Sequence, residues 1–410
     1  MMGKPNRTLL FQRRKALRLI GLGLPSLALA ACSPQARSTP AAPAPTATPF
    51  VPEDAPAAST ATVPASTATL PPPRPTATLT LPAPTPTALP RSAVAIGKAG
   101  SYDPALLRST LETMLDGLGG IGDVVKPGAR VAIKVNLTGG AYWQKPGEMP
   151  ATELFVTHPA VAGALAELLR DAGAAKIYIV EAVYEPESWS VWGYTDLVDK
   201  YGVELVDLND PSPYGNFAAF PVGEKRQVYD TLSLHPLLGE IDTFVSLPKM
   251  KVHYTAGVTV TMKNLMGITP LSLYRAQPTD TSRSAIHGGF QDGVDRHLIR
   301  AILDENLARP IHLGIVDGVL TCEGGEGPWE KLTQVPAGVL LAGKDALAVD
   351  AVATAVMGFD PEADTLQVPF VRSENYLAMA RELGMGTNRL SEIPVVGSPI
   401  EEVRRLFKHG

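Results

Sequence analysis

The change of composition near residue 90 constrains this chain more than any single motif does. Of its 38 prolines, 16 lie between residues 33 and 90, in a stretch built mainly of Pro, Ala and Thr. Such a stretch holds too little apolar side chain to offset the chain entropy lost on folding. Its prolines favour extended polyproline II, so it is expected to act as a semi-stiff spacer. The foldable part is then residues 93–410, long enough to bury a core as one large domain or two packed lobes.

Ahead of the spacer stands a short basic and apolar leader. Phe11-Gln12-Arg13-Arg14-Lys15-Ala16-Leu17-Arg18 resembles a twin-arginine export signal, with alanine where phenylalanine is usual; a general secretory route is the alternative. The apolar run 19–31 would rise about 20 Å as a helix, against a hydrocarbon core of about 30 Å. It therefore reads as the core of a signal peptide spanning residues 1–31. Leu29-Ala30-Ala31-Cys32 matches a bacterial lipobox, which makes Cys32 the lipidation site. The expectation is a cell-envelope protein on the extracytoplasmic face, held to the membrane through the Cys32 lipid only, with residues 32–92 as its tether.

Charge and cysteine content narrow the partners. Residues 1–32 carry six Lys or Arg and no acid, so their removal leaves 30 basic against 41 acidic residues. An acidic domain of this kind is not expected to bind nucleic acid through bulk electrostatics. Cys322 is the one cysteine of the foldable part, so no iron–sulfur cluster is expected there. Ligation of a divalent metal by His and carboxylate stays open.

Hydrophobic periodicity alternates short apolar runs with helical spacing. Strands are expected over 93–96, 130–135, 176–180, 203–206, 243–247, 312–316 and 339–341. Helices are expected over 104–118, 159–173, 195–201, 296–307 and 345–357. This rhythm implies an α/β fold, a mostly parallel sheet with helices on both faces.

In such sheets ligands bind beyond the carboxyl ends of the strands. Several of those ends are polar here: Lys134 and Asn136; Glu181; Lys249, Lys251 and His253; Asp317. The densest stretch, 247–269, adds Thr259, Thr261, Lys263 and Asn264, as an amphipathic strand or helix. Cations among apolar neighbours invite a small anionic ligand, since a buried ammonium needs a partner. His253 and His287 are the candidate proton carriers. Asp317 and Glu323 are the candidate metal ligands. The glycine-rich segment 322–328 carries Glu323 and Glu326, whose acids argue against cradling phosphate. Asp350 sits in an apolar helix, where an exposed face is the plainer reading. Nucleophile-elbow, zinc-protease and dinucleotide signatures are absent from the sequence.

These residues, in this order, resemble the bacterial and archaeal family known as domain of unknown function 362. The resemblance rests on Lys134-Val135-Asn136, Thr157-His158-Pro159, Pro248-Lys249-x-Lys251-x-His253, and Thr261-x-Lys263-Asn264-Leu265-x-Gly267. His287, Asp317-Gly318, Gly327-Pro328 and Gly343-Lys344-Asp345 leading to Asp350 complete it. Many relatives carry ferredoxin-type cysteine clusters, and this chain has none. A second likeness is to a segment of lactate racemase: His253-Tyr254-Thr255-Ala256-Gly257 followed by Lys263, the position where that enzyme's lysine carries a nickel pincer cofactor. Val260-Thr261-Met262 stand where that enzyme has Ser-Gly-Gly. Two functions follow as expectations. One is an anchored enzyme in which Lys134, Asn136, Lys249, Lys251 and Asn264 bind the substrate and His253, Lys263 and His287 carry out acid–base chemistry. The other is a non-catalytic solute-binding lipoprotein using the same cleft.

Overall fold

Strands β1 (Val94–Lys98), β2 (Arg130–Val135), β3 (Lys176–Glu181) and β4 (Glu204–Asp207) each coincide with an expected apolar run. A computed structural model describes residues 89–143 and 148–409. The signal peptide, Cys32 and most of the tether lie outside the described residues. The remaining strands are β5 (Ala218–Pro221), β6 (Thr231–Leu234), β7 (Thr243–Leu247), β8 (Lys249–His253), β9 (Gly257–Thr259), β10 (Leu313–Glu323), β11 (Thr333–Val335), β12 (Val339–Gly343) and β13 (Val395–Gly397). The sheet runs β13-β1-β12-β10-β7-β2-β3-β4, and β5 pairs with β6 apart from it.

From β10 through β7, β2 and β3 to β4 every neighbour is parallel, as is β13 with β1. Along this order β12 runs against both its neighbours, and off it β11 and β9 pair antiparallel with β10 and β8, so the expected mostly parallel sheet is mixed on that side. The reversal follows from the connection: β10 and β12 are joined through a short strand and loop, with no helix to carry the chain back across the sheet.

Two apolar cores lie on opposite faces. Alternation along β2 sends Val131, Ile133 and Val135 to one and Ala132 to the other. The first face is covered by helices Pro104–Gly117 and Pro159–Asp171, through Leu107, Leu111, Val161 and Leu165. The second is covered by helices Arg296–Ala308 and Ala346–Val356, through Leu298, Ile302, Leu347 and Val352. Each of these helices starts at a residue whose side chain accepts a backbone N–H of the first turn: Asp103, His158, Asp295 and Asp345. One large sheet, with the small β5–β6 pair beside it, thus carries both cores.

Three local expectations are corrected. The segment after β7 is a strand, one of the two expected forms, but it is buried at all five positions rather than amphipathic, because β8 pairs with the upper part of β10. β10 does not end at Val316 but continues to Glu323, which places Asp317 in mid-strand. Asp350 is not on an exposed face; it is fully buried. Its carboxyl accepts the backbone N–H and hydroxyl of Thr261, the N–H of Met262 at 3.1 Å and the Tyr376 hydroxyl at 3.2 Å.

Burial pushes the Asp350 carboxyl up to about 7, against the hydrogen bonds from Thr261 and Met262 that favour its charged form. A carboxyl raised in the folded state contributes stability at low pH that is lost as pH rises from about 4 to about 7. Asp350→Asn lacks that titration. Urea unfolding is expected to show the variant less stable by about 2 kcal/mol at pH 5, with a smaller deficit at pH 8.

Candidate active site

The parallel strands bring their carboxyl ends to one edge, and the polar residues expected there meet a turn of 3-10 helix, Lys263–Ile268. Asp350 fixes the entry to that turn at Thr261 and Met262. Asn264 fixes its body: its amide donates to the Lys134 carbonyl (2.9 Å) and Ser246 Oγ (3.1 Å), and its oxygen accepts from Asn136 Nδ2 (3.0 Å). Asn136 and Asn264 therefore hold each other and stitch β2 and β7 to the turn.

Lys134 lies beneath the turn with no exposed surface. Its amine donates to Glu181 Oε2 (2.9 Å) and the Val135 carbonyl (2.7 Å). Glu181 is further engaged by the N–H groups of Leu137 and Ala182. This pair is internally balanced. Gly267 passes directly over it: a Cβ there would fall 2.5 Å from Lys134 Nζ and closer still to Glu181 Oε1. Glycine is required here by close approach, since only a bare backbone leaves room for the ion pair.

A cleft opens above, with a cavity volume of about 90 Å³. Its walls include Lys134, Asn136, Lys251, His253, Thr259, Lys263, Asn264, Arg283, His287 and Glu326. Seven of the expected site residues thus converge. Three of the cations differ from Lys134 in kind. Lys251 Nζ donates to two carbonyls, Phe155 (2.8 Å) and Glu326 (2.7 Å). Arg283 donates Nε to the Thr269 carbonyl and Nη2 to that of Ala182. Lys263 Nζ meets only the Met266 thioether, at 3.1 Å. Among the described residues none of the three forms an ion pair with a carboxylate.

Burial lowers the Lys251 amine to about 7 and lowers Lys263 as well. Behind Lys263, Glu305 is fully buried, and neither carboxyl oxygen has a hydrogen-bond partner. Burial raises that carboxyl far enough to favour its neutral form. His253 Nδ1 accepts the N–H groups of Thr255 and Ala256, each at 3.1 Å. A nitrogen receiving two donors carries a lone pair, so neutral His253 bears its proton on Nε2. Burial and the neighbouring Lys263 hold the ring neutral. His287, at the end of the short helix Ser284–His287, is half-buried with Nδ1 3.9 Å from Asp295 Oδ2, and its partial burial and then Lys263 shift it downward.

The remaining candidates lie elsewhere. Lys249, Lys251 and His253 share one face of β8, but Lys249 is the deepest, about 7 Å inward of Lys251 along the strand. Its amine is buried against Asp317 Oδ2 (2.7 Å), the Tyr102 hydroxyl (2.7 Å) and the Thr152 and Leu320 carbonyls. Asp317 also accepts from Tyr102 and the His158 N–H. Lys249 and Asp317 form an internal ion pair away from the cleft, not a ligand contact and half of a metal site. Glu323 accepts the Lys408 N–H (2.8 Å). Among the described residues no group of three or more His, Cys, Asp or Glu is placed to hold a metal.

The site also does not fit a nickel-bearing cofactor on Lys263. The lone pair of His253 Nδ1 is taken by backbone, Thr261 and Met262 are taken by Asp350, and the cavity is small.

Arg283, Glu305 and Glu326 were not singled out together by sequence. A signal existed for Glu305: it continues the buried stripe Leu298, Ile302 at helical spacing. Arg283 comes from an irregular segment whose path no periodicity reveals.

The architecture defines an α/β domain with a cationic cleft at the carboxyl edge of its sheet. The family model described as "Domain of unknown function (DUF362)" matches residues 131–355, and the chain belongs to that family. A thylakoid-associated protein of Synechocystis is 26% identical over 317 residues, covering 76% of this chain and 88% of that protein. Among solved structures, the lactate racemase apoprotein of Thermoanaerobacterium thermosaccharolyticum is 14% identical with a TM-score of 0.39, covering 66% of this chain and 58% of the other. A Thermotoga maritima protein is 12% identical with a TM-score of 0.33, covering 64% and 60%. The chain thus spans less than two thirds of either solved chain.

Replacing Gly267 by Ala tests the close approach. The added methyl group must displace the Lys134–Glu181 pair, and breaking a buried ion pair costs about 3 kcal/mol or more. Gly267→Ala is expected to lower Tm by several degrees, whereas Gly215→Ala, at a position open to solvent though at positive φ, costs much less.

Proposed function

We propose that this chain is a membrane-anchored extracytoplasmic lipoprotein whose α/β domain is an enzyme acting on a small anionic substrate by Lys/His proton chemistry. One observation carries the reading: Lys251, Lys263 and Arg283 face a single small cleft and are satisfied by carbonyls or a thioether rather than by carboxylates. A bound carboxylate or phosphate would supply the missing negative charge. Burial lowers the Lys263 amine to about 8, so near pH 7.5 its charged form adds to the anion site while a neutral fraction can accept a proton. His253 serves as a hydrogen-bond donor through Nε2, stabilising charge that develops on a substrate oxygen. The membrane anchorage is supported by the lipobox at Cys32; the Synechocystis relative is named a thylakoid-associated protein.

Titration calorimetry with inorganic phosphate and with pyruvate tests the site. Lys251 loses its charge above about pH 7, so affinity for pyruvate, whose own charge is constant over this range, should fall as pH rises from 6 to 8.5. Lys251→Met should weaken binding about tenfold and flatten that dependence. Affinity unchanged in Lys251→Met and in Arg283→Met would sink the anion-site reading. His253→Ala separates the two functions once a turnover assay exists. Retained affinity with lost turnover fits an enzyme, and a loss of affinity alone fits a solute-binding lipoprotein.

The anchor has its own test. In the producing bacterium, the full chain should incorporate labelled palmitate and sediment with membranes. Cys32→Ser should do neither, and an unlabelled wild-type chain would refute lipidation.

A further inference from the structure

The amine of Lys263 is unusual in what it lacks. An ammonium has three N–H donors and needs acceptors for them when buried. Lys263 is 7% exposed, yet its one hydrogen-bond contact is the Met266 sulfur, a weak acceptor. Lys134, more fully enclosed, has a carboxylate, a carbonyl and an amide oxygen around it. Lys251 has two carbonyls. Burial lowers this amine to about 8, against Glu305 and Glu326, which raise it, and with Arg283 and Lys134, which lower it. With so few acceptors around it, the neutral fraction present near pH 7.5 has its lone pair available. The Glu305 carboxyl behind it, unpartnered and fully buried, is itself in an environment that favours the uncharged form.

A neutral amine on a fixed turn is a nucleophile toward carbonyl carbon. The cleft around it is built for an anion, with Lys251 and Arg283 in its wall and the Nε2–H of His253 as a donor. Thr259 Oγ1, also in the wall, is buried without a partner.

We propose that Lys263 is a covalent site for small anions that carry a carbonyl group, 2-oxo acids being the simplest class, through a Schiff base to its amine. This rests on the anion-site reading above and names the substrate class of that site. The step balances without a co-reactant. The Lys263 nitrogen forms a bond to the carbonyl carbon, the carbonyl oxygen departs as water, and both amine hydrogens leave with it. Lys251 and Arg283 hold the carboxylate while His253 Nε2–H donates to the oxygen as charge builds on it.

Reductive trapping tests the proposal on the intact chain. The protein is incubated with pyruvate and sodium cyanoborohydride at pH 7.5, and peptide mapping locates any reduced adduct. Labelling is expected at Lys263, at least tenfold above any other lysine. Inorganic phosphate should suppress it by competing for the anion contacts, and acetone, which has the carbonyl but no charge, should label poorly. Lys263→Met should abolish the adduct while pyruvate still binds. Because that variant alters a buried residue, the mapping on the unaltered chain carries the test. Adducts spread evenly over surface lysines, or no adduct while calorimetry still detects pyruvate, would overturn the covalent step and leave the anion site standing. Failure of both labelling and binding would overturn the two together.

Discussion

The buried carboxyl of Asp350 is the contact on which the geometry of the cleft depends. It reaches from a helix on one face of the sheet to the backbone of Thr261 and Met262, where the chain leaves the hairpin β8–β9 and enters the turn bearing Lys263. That turn has little regular structure to hold it, since six residues of 3-10 helix supply few hydrogen bonds of their own. A side chain with two oxygens satisfies three donors there at once. Tyr376, from a third helix, closes the arrangement. The cost of burying the group is visible in its raised titration, and the carboxyl's several hydrogen bonds are what offset it.

Around this pin the polar interior divides into two kinds of cluster. Lys134 with Glu181, and Lys249 with Asp317, are closed pairs: each amine has a carboxylate within 3 Å and further acceptors besides. They tie adjoining strands together and leave nothing for a ligand. Lys251, Lys263 and Arg283 are open. They have carbonyl dipoles or a sulfur in place of a full negative charge, and they share a cavity. Closed and open cations thus use the same residue type at a spacing of two residues along β8. What separates Lys249 from Lys251 is depth and the identity of the neighbour on β10 or beyond.

Much of the framework was legible before any coordinates. Apolar runs and helical spacing located β2, β7 and the helices Pro104–Gly117 and Arg296–Ala308 to within a residue or two at each end. The polar strand ends, Lys134, Asn136 and His253, were correctly read as converging, because parallel strands share a carboxyl edge. The errors have a common origin. Asp317 and Lys249 look like site residues in one dimension, but their pairing with Tyr102 and Thr152 brings together segments 97 to 215 residues apart. Asp350 looks exposed because a lone acid in an apolar helix has no partner in its own sequence neighbourhood.

The sequence by itself determined the composition break near residue 90, the α/β rhythm and the list of polar groups available at the sheet edge. Those depend on local periodicity and side-chain chemistry, which a linear chain displays. Tertiary structure alone decided which lysines are neutralised and which remain open, that Glu305 lies behind Lys263, and that His253 presents Nε2–H rather than a lone pair. Each of those is a question of dielectric surroundings and of partners within about 3 Å, and such partners are set by how strands and helices pack, not by their order along the chain.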